Sequence, residues 1–105
     1  MKYSLLIGRW QPFHEGHRAL VQSVIDEGKM PYIGIRDTET SEENPYSIEQ
    51  RRAMIEQCFP GVPTMVVPDI EEIVYGRKVG YAIREVKLHG DIEAISGTKI
   101  RAGIL

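Results

Sequence analysis

The spacing of apolar positions changes several times along the 105 residues, and each change marks an element. Tyr3 to Ile7 is a short apolar run that predicts a strand. From Glu15 to Asp26 the apolar positions recur at helical spacing, with Ala19, Leu20 and Val24 on the inward face and Gly28 as the stop. Pro31 to Arg36 predicts a second strand, and the polar run from Asp37 to Asn44 a loop. Ser47-Ile48-Glu49-Gln50 has the form of a capping box and opens a helix that reaches Cys58. Val62 to Val67 predicts a third strand and Ile73-Val74-Tyr75 a short fourth. Tyr81 to Leu88, with Ala82, Val86 and Leu88 on one parity, predicts a fifth, and a last helix begins near Thr98.

Strands alternating with helices need crossover connections, which favour parallel neighbours. The expected fold is therefore α/β: a Rossmann-like three-layer domain with a five-stranded, mainly parallel sheet, in one domain spanning residues 1–105. No Gly-x-Gly-x-x-Gly follows the first strand, which disfavours a dinucleotide redox cofactor.

The junction between the first strand and the first helix carries the chemistry. His14-Glu15-Gly16-His17 places two imidazoles three residues apart, on one face of a helical turn, with Gly16 removing a side chain between them. The carboxyl edge of a parallel sheet and the positive end of a helix both favour an anion, so the pattern reads as a phosphate site. A zinc site is the competing reading. It needs further ligands, and Cys58 and His89 stand isolated in sequence, so no metal site is expected among the protein's residues.

The run Gly8-Arg9-Trp10-Gln11-Pro12-Phe13-His14-Glu15-Gly16-His17 resembles the signature of the nucleotidyltransferase superfamily, in the branch of the nicotinamide-mononucleotide adenylyltransferases, with Trp10 where Phe or Met is usual. Arg9 and Gln11 favour the adenylyl branch over the cytidylyltransferases. Ile95-Ser96-Gly97-Thr98-Lys99-Ile100-Arg101 resembles the second motif of that superfamily, which opens a short helix over the triphosphate. Taken alone, the second segment equally suits a capped surface helix; paired with the first it favours a site.

The resemblance implies adenylyl transfer from ATP to a small anionic acceptor with release of pyrophosphate, CTP or a non-catalytic nucleotide-binding module being the alternatives. His14, His17 and Arg101 would be catalytic, and Gly8, Arg9, Gln11, Phe13, Gly16, Ser96, Gly97 and Thr98 would bind nucleotide. Mg²⁺ would enter with the triphosphate. Arg36, at the end of the second strand, is a candidate acceptor ligand by topology. The run Asn44-Pro45-Tyr46-Ser47 with the following Glu49-Gln50-Arg51-Arg52 resembles a nucleotide-approaching segment of the adenylyltransferases, which makes Arg51 or Arg52 a candidate phosphate ligand and Arg51 a candidate for the acceptor; their other reading is a solvated helix charge. Arg77 and Lys78 follow the fourth strand and are weaker candidates. The family's helix between its fourth and fifth strands has no room between Tyr75 and Tyr81, which leaves open a minimal enzyme, a half-site completed by a second subunit, or a domain of a longer protein.

Composition narrows the partners. A net charge of −2 gives no basic field for nucleic acid, no segment has the length of a membrane span, and a single cysteine suits a cytoplasmic setting. A chain of this length builds a small core, which makes a homodimer a reasonable expectation.

Overall fold

The computed structural model describes residues 2–77 and 80–86. Its elements follow in the order β1 (Ser4–Gly8), α1 (Glu15–Asp26), β2 (Pro31–Asp37), α2 (Ile48–Cys58) and β3 (Thr64–Pro68). The three strands form one parallel sheet in the order β1-β2-β3, with Ser4 opposite Pro31 and Ile33 opposite Thr64. The carboxyl ends of all three strands therefore share one edge.

The centre of the sheet carries the apolar load. Ile33 and Ile35, two residues apart on β2 and so on one face, are fully buried with Val21 of α1 and Ile55 of α2. Both helices thus cover the same face. Full burial of each such side chain contributes roughly 1.5–3 kcal/mol. The inward face of α1 is carried by Gly16, Val21 and Val24, whereas Ala19 and Leu20 are only partly buried. On the other face, Gly34 lies among Ile7, Val67 and Leu5, and Leu5 is 52% exposed.

Among the described residues the sheet has three strands and two layers, where the sequence predicts five strands and three layers. Ile73, Val74 and Tyr75 have irregular backbone and are 56%, 74% and 57% exposed. Tyr81 and Ile83 are likewise exposed and outside any ladder. Short apolar runs become strands only when a sheet edge satisfies their backbone, and none does so here. Residues 80–86 are tied to the end of α1 by two ionic hydrogen bonds from Arg84 to Glu27, at 2.6 and 2.9 Å. These hold the Glu27 carboxyl below its ordinary range. The rest of the predicted fifth strand and the last helix lie outside the described residues.

Candidate active site

The site grows out of the start of α1. Its first-turn amides are capped by His14, whose Nδ1 accepts from the backbone N–H of Gly16 at 3.1 Å and of His17 at 3.4 Å. The backbone N–H of His14 in turn donates to Nδ1 of His17 at 3.2 Å. This is a reciprocal capping box built from two histidines. At the start of α2 the same box is built from Ser47 and Gln50, with bonds of 2.8 and 3.1 Å.

The cap has a chemical consequence. A neutral imidazole that accepts at Nδ1 carries its proton on Nε2. Both rings are thereby fixed as Nε2–H donors. They stack with centroids 3.6 Å apart and an interplanar angle of 16°, so the two donors stand side by side at the positive end of α1. The Gly16 and His17 amides, which the glycine suggests as anion donors, are already bonded to His14.

Burial keeps the pair neutral. His17 is pushed down to about 3, first by loss of water and then by the neighbouring His14, with the Pro12 carbonyl pulling the other way. Burial also lowers His14. The unfolded chain takes up the His17 proton below pH 6.5, the folded chain only near 3, so stability is whole above 6.5 and falls as the pH drops between those values. For one proton the limiting slope is about 1.4 kcal/mol per pH unit. Urea midpoints measured between pH 4 and 7.5 should show this loss toward acid, and His17→Gln should flatten it. A wild-type midpoint that does not change over that range would contradict the assignment.

The loop from Gly8 to His14 is held from three sides. Trp10 is buried, adopts φ 55°, and donates from Nε1 to the Gly34 carbonyl at 3.0 Å. Its ring lies so close to Gly8 that a β-carbon there would stand 2.9 Å from Cζ2. Gln11 is buried and bonds Tyr46 twice, donating to its carbonyl at 2.8 Å and accepting from its amide at 2.9 Å. Arg51, only 1% exposed, donates from Nη1 to the carbonyls of Arg9 at 2.8 Å and Arg36 at 2.7 Å, and from Nε to that of Ser47 at 3.2 Å.

These contacts change several expected roles. Gln11 clamps the 44–47 loop, with both ends of its side-chain amide bonded to the Tyr46 backbone. Gln11→Ala should therefore loosen Tyr46 and lower stability by about 1–3 kcal/mol, readable as a urea midpoint, because the Tyr46 backbone loses both partners. Arg51 is neither a solvated charge nor an open acceptor ligand: burial lowers its pKa, Asp37 partly offsets this, and its guanidinium braces three backbone segments. Phe13 packs in the core beside Trp10 and Phe59. Gly8 makes room for Trp10.

Arg9 stays exposed beside Asn44, with a bond of 3.3 Å to its side-chain oxygen. Arg36 reaches Asp69 at 2.7 Å and the Ile70 carbonyl at 3.1 Å, so the end of β2 is tied to the end of β3. Its Nε and the Thr38 hydroxyl are buried without a partner. Arg77 is exposed and makes none of the described site contacts. Lys78, His89, Ser96, Gly97, Thr98 and Arg101 lie outside the described residues. The parts that sequence reasoning missed are Trp10, read there only as a substitution in the motif, and the brace made by Arg51.

Comparison with known proteins places this geometry. A cytidylyltransferase-like family matches residues 5–74, which include both strand-to-helix junctions. A nicotinamide-nucleotide adenylyltransferase of Methanocorpusculum labreanum is 33% identical over 72 residues, and one of Methanococcus aeolicus 36% over 74; each alignment takes in 65% of this chain. One of Thermoplasma acidophilum is 38% identical over 60 residues, 55% of this chain and 34% of its own length. The chain spans 43% of the length of the first two relatives.

Proposed function

Because the chain belongs to the cytidylyltransferase-like family, we propose that it transfers an adenylyl group from ATP to a small phosphorylated acceptor, nicotinamide mononucleotide first among them, and releases pyrophosphate. One observation carries the reading. Two stacked imidazoles have Nδ1 committed to the cap and so present two Nε2–H donors at the head of α1. Capping alone does not require histidine, since Ser47 and Gln50 do it for α2.

In the reaction an acceptor phosphate oxygen attacks the α-phosphorus of ATP, the bond from that phosphorus to the bridging oxygen breaks, and pyrophosphate leaves with the electron pair. Negative charge grows on the α-phosphate oxygens. The Nε2–H groups of His14 and His17 donate to those oxygens, and their neutrality lets them do so over a wide pH range. Arg9, exposed at the rim, is placed to meet a phosphate. Arg36 is our candidate for the acceptor, which would draw it from Asp69. Ser96, Gly97, Thr98 and Arg101 are assigned to the triphosphate on their motif alone. Among the described residues no group of three or more His, Cys, Asp or Glu could hold a metal ion; any Mg²⁺ would come with the triphosphate, and no step is assigned to it.

Adenylyl rather than cytidylyl transfer is favoured by the activity named for the relatives and by Arg9 and Gln11 in the motif. Among the described residues no helix is long and apolar enough to cross a membrane. The soluble substrates and the free Cys58 suit a cytoplasmic setting. Calorimetric titration with MgATP and with MgCTP, followed by pyrophosphate release over a panel of acceptors, tests the proposal. Preferred binding of ATP with release dependent on nicotinamide mononucleotide is expected; preference for CTP would transfer the chain to the cytidylyl branch, and binding without release would make it a nucleotide-binding module.

A further inference from the structure

The His17 ring has contacts that the cap does not explain. Trp10 lies across it, with ring centroids 4.7 Å apart and an interplanar angle of 88°. Phe13 lies on a further side at 5.7 Å and 33°. His17 is thus fixed by a hydrogen bond at Nδ1, by stacking on His14, and by an indole set crosswise. An imidazole can turn about its Cβ–Cγ bond, and a half-turn exchanges its nitrogen edge for its carbon edge. That turn would break the 3.2 Å bond at Nδ1 and change the contact with the Pro12 carbonyl. A rigid aromatic wall set crosswise obstructs the turn as well.

The wall is itself anchored. The indole Nε1–H is held by the Gly34 carbonyl at the centre of the sheet, and Gly8 leaves no slack beneath the ring. The Trp10 backbone adopts φ 55°, a left-handed conformation unfavourable for a bulky residue, which persists only where its surroundings over-determine it. Filling the core would not require this: an aliphatic side chain on an ordinary backbone would bury as well.

We propose that Trp10 is a positioning residue that holds the His17 imidazole in the orientation in which Nε2–H faces the reacting phosphate. The role rests on the proposed nucleotidyl transfer, but its structural part can be read without it.

The test compares Trp10→Leu with Trp10→Phe. Both lose the bond to Gly34, and only the second keeps an aromatic wall. Nitrogen-15 shifts of His17 report which ring nitrogen carries the proton. Wild type and Trp10→Phe should show protonated Nε2 alone. Trp10→Leu, folded by circular dichroism, should show a mixture of tautomers and a turnover on ATP roughly 10- to 100-fold lower, with KM for ATP little changed. Should Trp10→Leu not fold, Gly8→Ala takes its place, since the added β-carbon presses directly on the indole. A single Nε2–H tautomer in the folded Leu or Ala variant would overturn the proposal and leave Trp10 as core alone. If wild type transfers no nucleotide to any acceptor, the functional reading fails, while the nitrogen shifts still decide the role of Trp10.

Discussion

His17→Ala is expected to lower turnover on ATP about 100- to 1000-fold, the range observed when one donor to a developing oxyanion is removed, or roughly 2.7–4 kcal/mol of barrier. The substitution removes Nδ1 as the acceptor for the His14 amide, one half of the cap, and, on the proposed function, Nε2–H as a donor to the α-phosphate. The structural half can be subtracted. His17→Gln should restore much of the cap, because a glutamine at the third helical position accepts from the cap amide at the start of α2 with a bond of 2.8 Å. Glutamine does not stack on His14 as a rigid planar donor, so turnover should stay low while the melting temperature recovers. ATP affinity should fall less than turnover in both variants, since a donor to growing charge acts mainly in the transition state. Single-turnover measurements with ATP and the acceptor identified by screening separate the two terms. Turnover restored with the cap would mean that the histidines are structural and that the chemistry lies elsewhere.

Much of this arrangement is legible in the sequence because it depends on neighbours in the chain. The bounds of α1, Glu15–Asp26, follow from the apolar spacing and from Gly28, whose φ of 77° suits it to end a helix. The Ser47–Gln50 box announces α2 for the same reason. The His pair is visible as a motif, but its tautomeric state is not, because that state follows from bonds which exist only once the first turn forms. Arg51 shows the opposite limit. An arginine in the first turns of a helix reads as a solvated surface charge; only the packing of residues 42 and 15 positions away brings the Arg9 and Arg36 carbonyls to its guanidinium. Ile73 to Tyr75 fail for a related reason, since a strand is made by its partner as much as by its own residues.

The largest effect on stability is expected at that buried arginine. Arg51→Met keeps most of the side-chain volume and helix propensity but leaves the carbonyls of Arg9 and Arg36 without the donor that reaches them at 2.8 and 2.7 Å, and that of Ser47 with only the Arg51 amide. Each orphaned buried carbonyl costs about 1–3 kcal/mol, so losing the donor to both Arg9 and Arg36 should cost about 2–6 kcal/mol in all. A small domain has only roughly 5–15 kcal/mol in total, so a large part of the stability should go. Arg51→Lys should recover little, because one ammonium cannot span carbonyls from three segments as a planar fork does. Arg52→Met is the control: that side chain is exposed and, among the described residues, bonds the Thr64 hydroxyl at 3.2 Å, and its loss should stay within about 0.5 kcal/mol. Urea unfolding of the three variants reads the differences. A loss below about 1 kcal/mol in Arg51→Met would mean that water replaces the guanidinium and that the site loop is not braced from beneath. A loss of the expected size would show that Arg51 ties the loop that bears the histidines, through the Arg9 carbonyl, to the end of β2 at the Arg36 carbonyl.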